Sequence, residues 1–167
     1  MTGYVFRPFD TSHLSLIEKW LNAPHVRKWW GDPGREFEQI KGHLTRSWME
    51  CVIVELSGEP FAYIQTYDLD SDPEREWKEL PQGARGLDLF IGEAALIGLG
   101  HGTAMLRSFS DSLLSRAGVL SVWSDPDPAN DASIGAFAAA GFDDMGLREM
   151  PWGTVRLMCK AGISSIV

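Results

Sequence analysis

The stretch Ile97-Gly98-Leu99-Gly100-His101-Gly102 decides the fold. It joins an apolar run at residues 86–91, which is typical of a β-strand, to a segment with helical periodicity that extends to about residue 117. Glycines at such a turn let backbone N–H groups approach a ligand, and the helix adds the positive end of its dipole. The stretch therefore predicts a pyrophosphate-binding loop that needs no lysine, although a tight strand-to-helix turn is the simpler alternative.

The glycines match neither of two common nucleotide-binding motifs. No Gly-Lys-Ser/Thr sequence follows them, which excludes a P-loop. Counted from Gly98 and Gly100, the third glycine of the dinucleotide pattern is replaced by Thr103.

Strand and helix patterns alternate along the rest of the chain without a linker or an internal repeat. Predicted strands cover residues 4–8, 51–56, 60–67, 86–91, 119–124, 142–150 and 154–159, and predicted helices cover 12–21, 25–30, 37–48, 102–117 and 131–140. The two strands around Ser57-Gly58-Glu59 are predicted to form a hairpin. This order predicts an α/β fold, with helices on a mixed sheet, in a single domain at residues 1–167.

Composition narrows the class of protein. The formal net charge is −8 and there is no basic cluster, which argues against a nucleic-acid partner and favours a cationic one. No apolar run approaches the roughly 20 residues that span a bilayer, and the first residues lack a signal-peptide pattern, so we expect a cytoplasmic protein without a membrane partner. Cys51 and Cys159 match no metal-ligand spacing; we expect two reduced, buried thiols and no metal.

Two motifs carry a resemblance to a known family. Residues 97–102 resemble the acetyl-CoA loop of GNAT acetyltransferases, R/Q-x-x-G-x-G/A, with Gly100 and Gly102 matching and Ile97 at the Arg/Gln position. Asp125-Pro126-Asp127-Pro128-Ala129-Asn130, followed by Ala139-Ala140-Gly141-Phe142, resembles that family's D-P-x-x-x-N … A-G-F stretch. The resemblance covers nearly the whole chain.

Three further blocks are similar to the aminoglycoside 6′-N-acetyltransferase branch of that family. They are residues 18–31, residues 58–67 and residues 85–92, in the family's order and spacing. The resemblance implies the GNAT fold, acetyl-CoA as cofactor, and a cofactor site that includes the backbone of the strand near residue 88. The residues it assigns to the cofactor are Leu89, Phe90, Ile91, Gly98, Gly100, His101, Gly102, Thr103, Asn130 and Phe137.

Asp88 is the candidate catalytic residue. It lies on an otherwise apolar strand, it matches the branch's aspartate on that strand, and a carboxylate there can hold an ammonium group and accept its proton. A structural aspartate bonded to nearby backbone is the alternative. The family's usual acid is a tyrosine, and by spacing Phe137 stands in its place. The thiolate then leaves unaided or another group serves; His101 is a possible donor, and it fits equally well as a solvated loop residue.

The amine site is predicted from aromatic and acidic side chains. Aromatic faces suit sugar rings and cations, and carboxylates suit polyamines. The candidates are Trp29, Trp30, Tyr67, Trp77, Glu76, Glu79 and Asp88, whereas Trp20 and Trp48 are assigned to the core. The acidic loop that carries Glu76 and Glu79 is equally consistent with a solvated surface loop.

Three functions remain open on the sequence. The first is acetyl transfer to an aminoglycoside-like or polyamine substrate, a small and cationic molecule. The second is acylation of a hydroxylysine-type siderophore precursor, and the third is a module that binds acyl-CoA without turnover, which the departures at Ile97 and Phe137 favour. A monomer or a homodimer is expected.

Overall fold

The computed structural model describes residues 3–73 and 77–162. Within these residues strands and helices alternate in the predicted order. Their bounds are β1 (Tyr4–Pro8), α1 (Leu14–Asn22), α2 (Pro24–Trp30), α3 (Pro33–His43), β2 (Met49–Leu56), β3 (Glu59–Asp68), β4 (Ala84–Ile91), α4 (His101–Leu114), β5 (Ser121–Ser124), α5 (Asp131–Ala139), β6 (Asp143–Met150) and β7 (Gly153–Ala161). No helix in the described part of the chain is both long and apolar enough to cross a membrane.

The strands form one mixed sheet, which confirms the predicted fold class. They are hydrogen-bonded in the order β1-β2-β3-β4-β5-β7-β6. β4 and β5 are parallel, whereas β1 with β2, β5 with β7, and β6 with β7 are antiparallel. The parallel pair matters for the site, because its register ends early, at Gly86 opposite Trp123.

The turn between β2 and β3 explains why this hairpin was predictable. Ser57 and Gly58 have φ values of 54° and 85°. Positive φ at both central residues is the backbone of a type I′ turn, whose twist matches that of paired strands.

The chain divides into two compact units by its own packing. The first comprises Met1–Thr66 and Leu89–Leu99. Its core contains Ile17, Trp20 and Tyr63, each 0% exposed, which confirms the prediction for Trp20. Trp48, which was also assigned to the core, is half-buried in the turn before β2.

The second unit comprises Tyr67–Asp88 and Gly100–Val167. One face of α4 buries Leu106, Phe109 and Leu113, the stripe that helical periodicity predicts. A second buried cluster in this unit consists of Leu69, Trp77, Leu80, Ala84, Val155 and Leu157.

The predicted helix at residues 37–48 was wrong at both ends. α3 begins at Pro33, because the Asp32 carboxylate accepts the Arg35 N–H at 2.8 Å and proline is favourable at the first helical position. The Gly31-Asp32-Pro33-Gly34 sequence, which lies between the two helices predicted at 25–30 and 37–48, supplies the cap and first turn with its last three residues. The helix ends at His43, since the chain enters β2 by Met49.

The cysteines follow the prediction in part. Cys159 is buried and Cys51 is half-buried, and both are free thiols. Burial raises the pKa of the Cys159 thiol to about 11, with a smaller contribution from the Asp143 carboxylate.

Candidate active site

Asp88, the candidate catalytic residue, lies where β4 leaves its parallel partner. Asp88 is half-buried and is two residues beyond the Gly86–Trp123 pair. Because side chains alternate along a strand, Asp88 shares a face of β4 with Gly86. The ring of Tyr67 covers that face so closely that a Cβ on Gly86 would lie 2.0 Å from its Cε2. The structure thus brings Tyr67, a predicted substrate residue, to the face that carries Asp88.

An aromatic recess opens at this place in the second unit. Its cavity volume is about 10 Å³, which is about what one water molecule needs. The residues that line it are Tyr67, Leu69, Trp77, Leu80, Gly86, Trp123, Ser124, Asp125 and Leu157. Two of the predicted substrate residues, Tyr67 and Trp77, therefore meet in one recess. Trp77 is 6% exposed and lies edge-on to Trp152, with ring centroids 6.3 Å apart.

Asp125 is a residue of this recess that the sequence did not single out. It follows β5 directly and lines the recess. It is two residues beyond Trp123, as Asp88 is two residues beyond Gly86, the last pair of the β4–β5 register. In the sequence Asp125 belonged to the stretch that resembles the family's D-P-x-x-x-N motif, because nothing local shows which residues of other strands it will meet. A carboxylate directly after a short apolar strand was the one available signal.

The glycine loop has the backbone that the sequence predicted. Gly98 and Gly100 have φ values of 76° and 85°, where a side chain would be strained. Gly100 is the N-cap of α4 without a side-chain hydrogen bond to the first turn, and a Cβ at either glycine would meet nothing within 4 Å. Gly102 and Thr103 lie in the first turn of α4. The loop thus presents backbone and open space, which suits a pyrophosphate group.

The two predicted cofactor residues on and before α5 have different surroundings. Asn130 caps α5, and its Oδ1 accepts the Ser133 N–H at 3.1 Å. Phe137 is 2% exposed and packs edge-on against Phe142, with ring centroids 5.0 Å apart. The assignment of both to the cofactor stays a prediction, and the burial of Phe137 leaves it little surface for such a contact.

The remaining aromatic candidates lie in the first unit. Trp29 is 36% exposed, and the Lys28 ammonium lies 4.6 Å from its ring centroid. Trp30 is half-buried and packs against Phe90 at 4.9 Å and Tyr63 at 6.4 Å. Trp30 is thus largely a packing residue, whereas Trp29 presents a face that already holds a cation.

The other assigned residues vary in what the structure shows of them. Glu79 is exposed and His101 is half-buried at the start of α4. Leu89 and Ile91 are half-buried and Phe90 is buried, so β4 offers mainly backbone there. Glu76 lies outside the described residues. The residues that the structure describes hold no cluster of three or more metal-binding side chains.

Comparisons with known proteins agree with this geometry. A family profile described as acetyltransferase (GNAT) domain matches residues 10–150. Aminoglycoside N(6')-acetyltransferase type 1 of Klebsiella pneumoniae is 29% identical over 154 residues, which cover 86% of this chain and 76% of that protein. N-hydroxyputrescine acetyltransferase of Acinetobacter baumannii is 25% identical over 117 residues, which cover 68% of this chain and 56% of that protein.

Solved structures show the same likeness in three dimensions. The structure of AAC(6')-Ib in complex with coenzyme A and kanamycin superposes with a TM-score of 0.86 at 28% sequence identity and covers 95% of each chain. The structure of AAC(6')-Ib with ribostamycin and coenzyme A gives a TM-score of 0.87, also at 28% identity.

Proposed function

Because the chain belongs to the family of acetyltransferase (GNAT) domains, we propose that it transfers the acetyl group of acetyl-CoA to a primary amine of an aminoglycoside-like or polyamine substrate. The observation that carries the proposal is that Asp88 and Asp125 each follow the last β4–β5 pair by two residues, with Asp125 lining an aromatic recess. Similar proteins named for aminoglycoside 6′-acetylation, and a similar structure that holds kanamycin and coenzyme A, support it.

The glycine loop and α4 fit the cofactor. Acetyl-CoA supplies an acyl thioester, and its pyrophosphate is the anion that must be held on a chain of net charge −8. Gly98 and Gly100 expose the backbone, and the first turn of α4 supplies N–H groups and the positive end of the helix dipole. Ile97, at the family's Arg/Gln position, contributes no charge, so the backbone provides the binding.

The side chains around the aromatic recess suit a cationic amine. Tyr67 and Trp123 are half-buried and offer aromatic surface to a cation, and Asp125 adds a carboxylate that an ammonium group can donate to. Asp88 then accepts the proton of the reacting ammonium, directly or through water, which leaves a neutral nucleophilic amine. Two carboxylates favour a polyamine over a monoamine, because Asp125 can hold an ammonium group other than the one that reacts.

The backbone of β4 completes the reaction. Past Gly86, β4 has left the register with β5, so N–H groups on that edge are available to polarise the thioester carbonyl as its oxygen becomes anionic. Phe137 cannot donate a proton to the departing thiolate. Because a thiol has a pKa of about 8.5, departure of the thiolate without a proton donor is chemically reasonable.

A hydroxylamine-bearing polyamine is the second candidate substrate. The similarity to N-hydroxyputrescine acetyltransferase favours it, and the Asp125 carboxylate would hold the distal ammonium group. A cytoplasmic location and a monomeric or homodimeric state belong to the proposal as well.

Thiol release from acetyl-CoA, followed across a panel of amines, tests these functions. The panel contains 6′-amino aminoglycosides, linear polyamines and N-hydroxylated diamines, and Asp88→Asn is run beside wild type. Glu38→Gln, at an exposed site on α3, is the matched control for loss of one carboxylate charge. We expect release with aminoglycosides that Asp88→Asn loses and Glu38→Gln keeps. Release with the hydroxylated diamines alone supports the second candidate, and binding of acetyl-CoA without release for any amine contradicts both.

A further inference from the structure

The exit of β4, residues 91–93, is held in place by side chains from α1 and α2. The Glu93 carboxylate accepts hydrogen bonds from Lys19 Nζ and from the Trp20 indole N–H, both at 2.8 Å. Gly92 lies directly against that indole, since a Cβ at this position would be 2.1 Å from Trp20 Cδ2. The first unit therefore fixes the position of the last residues of β4 to within a narrow range.

Within this exit, the peptide group between Ile91 and Gly92 is held at both ends. The Gly92 N–H donates to the Phe61 carbonyl on β3 at 2.7 Å. His25 Nε2 lies 2.9 Å from the Ile91 carbonyl oxygen. A carbonyl only accepts hydrogen bonds, so Nε2 of His25 carries the proton and donates.

The direction of the Ile91 carbonyl follows from peptide geometry. In a planar trans peptide the C=O and the N–H point in opposite directions, and none of the described peptide bonds is cis. Because the Gly92 N–H points to β3, the Ile91 carbonyl points to the opposite edge of β4. His25 therefore occupies the edge that faces away from β3.

Strand alternation identifies the other groups on that edge. The N–H and C=O of one residue in a strand point to the same side, and the side changes with each residue. The backbone groups of Leu89 and Ile91 thus share the outward edge, while those of Phe90 face β3. With the Ile91 carbonyl bonded to His25, the outward groups that remain are the Leu89 N–H and C=O and the Ile91 N–H.

We propose that His25 is a positioning residue which sets the register of acyl-CoA on β4. Its imidazole blocks the Ile91 carbonyl and so prevents the amide chain of the cofactor from pairing two residues further along the strand. The thioester is thereby kept at Leu89, next in the chain to Asp88. This inference rests on the proposed function for its catalytic consequence, but the blocking contact itself can be tested by binding alone.

The test uses His25→Leu, which frees the Ile91 carbonyl, and His25→Gln, whose side-chain amide can restore a donor near the Nε2 position. Glu93→Gln is the matched control, because it weakens the bonds from Lys19 and Trp20 in the same segment and leaves the Ile91 carbonyl bonded to His25. For His25→Leu we expect kcat to fall about tenfold with a smaller change in the KM for the amine, and for His25→Gln we expect recovery of most of that loss.

A second readout needs no turnover. Amide NMR of the protein with acetyl-CoA should show one bound state at Leu89 and Ile91 in wild type and in Glu93→Gln. In His25→Leu the same two amides should shift to a different or doubled set of signals. Identical signals in all variants overturn the proposal, whether or not any amine is acetylated. A second result also overturns the proposal. If kcat falls in both His25→Leu and Glu93→Gln, and in each variant in proportion to its loss of stability, the effect is purely structural.

Discussion

Asp88 on β4 and Asp125 after β5 each lie two residues beyond the last pair of these parallel strands, Gly86 and Trp123. Strand alternation puts Asp88 on the face that Tyr67 covers at Gly86, and Asp125 lines the recess together with Tyr67. Carboxylates attract cations, and the net charge of −8 adds to this attraction. We propose that Asp88 accepts the proton of the reacting amine and that Asp125 anchors a second ammonium group.

That division predicts different kinetics for the two asparagine variants. Asp88→Asn removes the proton acceptor, so kcat should fall by about 10²-fold or more. Asp125→Asn removes an anchor, so the KM for the amine should rise by roughly tenfold to a hundredfold while kcat changes little. Steady-state kinetics of thiol release measure both values. A larger loss of kcat in Asp125→Asn than in Asp88→Asn would reverse the two roles.

The glycine loop predicts how a methyl group at position 100 changes stability and acetyl-CoA binding. Gly100→Ala places a side chain at a φ of 85°, which should lower the free energy of unfolding by about 1 kcal/mol and weaken acetyl-CoA binding. Gly42→Ala is the control, since Gly42 lies in α3 and a Cβ there meets nothing within 4 Å; it should stabilise by about 0.5 kcal/mol. Calorimetric titration and chemical denaturation check both. Unchanged acetyl-CoA affinity in Gly100→Ala counts against the loop as the pyrophosphate site.

The close contact between Gly86 and Tyr67 predicts that the recess depends on having a glycine, with no side chain, at position 86. Gly86→Ala puts a Cβ 2.0 Å from the Tyr67 ring, so the ring must move, at a cost of roughly 1–3 kcal/mol in stability. The KM for the amine should rise with it. In the double variant Gly86→Ala/Tyr67→Ala the clash is absent, and the two stability losses should be less than additive. Additive losses would show that the ring is not confined as described.

Stability should depend on pH through His43. Burial, together with the nearby charge of Arg46, lowers the pKa of His43 from its ordinary 6.5 to about 4. Above pH 6.5 neither the folded nor the unfolded imidazole is protonated, so this group has no effect. Between pH 6.5 and about 4 the unfolded chain binds a proton that the folded chain does not. As the pH falls through this window, this group should therefore decrease the free energy of unfolding by about 1.4 kcal/mol per pH unit.

Urea denaturation at several pH values between 7 and 4.5 measures this slope. His43→Gln, which keeps a polar side chain at the site but does not titrate, should show a flatter profile over the same window. Equal slopes in wild type and variant would assign the pH dependence to other groups.

The parts of the fold that could be predicted are those with local signals. Three such signals each determine the backbone within a few residues: the glycines before α4, the Ser57-Gly58 turn and the alternation on β4. The start of α3 was predicted wrongly because an Asp-Pro sequence can end one helix or cap the next. Only the path of the chain distinguishes these two cases.

The site was predictable in the same measure. Asp88 was predicted from its strand and from the family resemblance, and its role stays a prediction. Tyr67 and Trp77 were predicted from their type, and the structure places these two aromatic residues together. Asp125 was not singled out because its position beside the recess depends on the pairing of two strands that are distant in sequence. Trp30 was assigned to the substrate, yet it packs on Phe90, which no local pattern indicates.

The most direct test of the central claim is mass spectrometry of the amine product together with thiol release, for wild type and Asp88→Asn, with kanamycin and acetyl-CoA. We expect wild type to add one acetyl group per thiol released, and Asp88→Asn, which still binds acetyl-CoA, to form at most about a hundredth as much product in the same time. Thiol release without an acetylated amine, or equal product from both proteins, would contradict it.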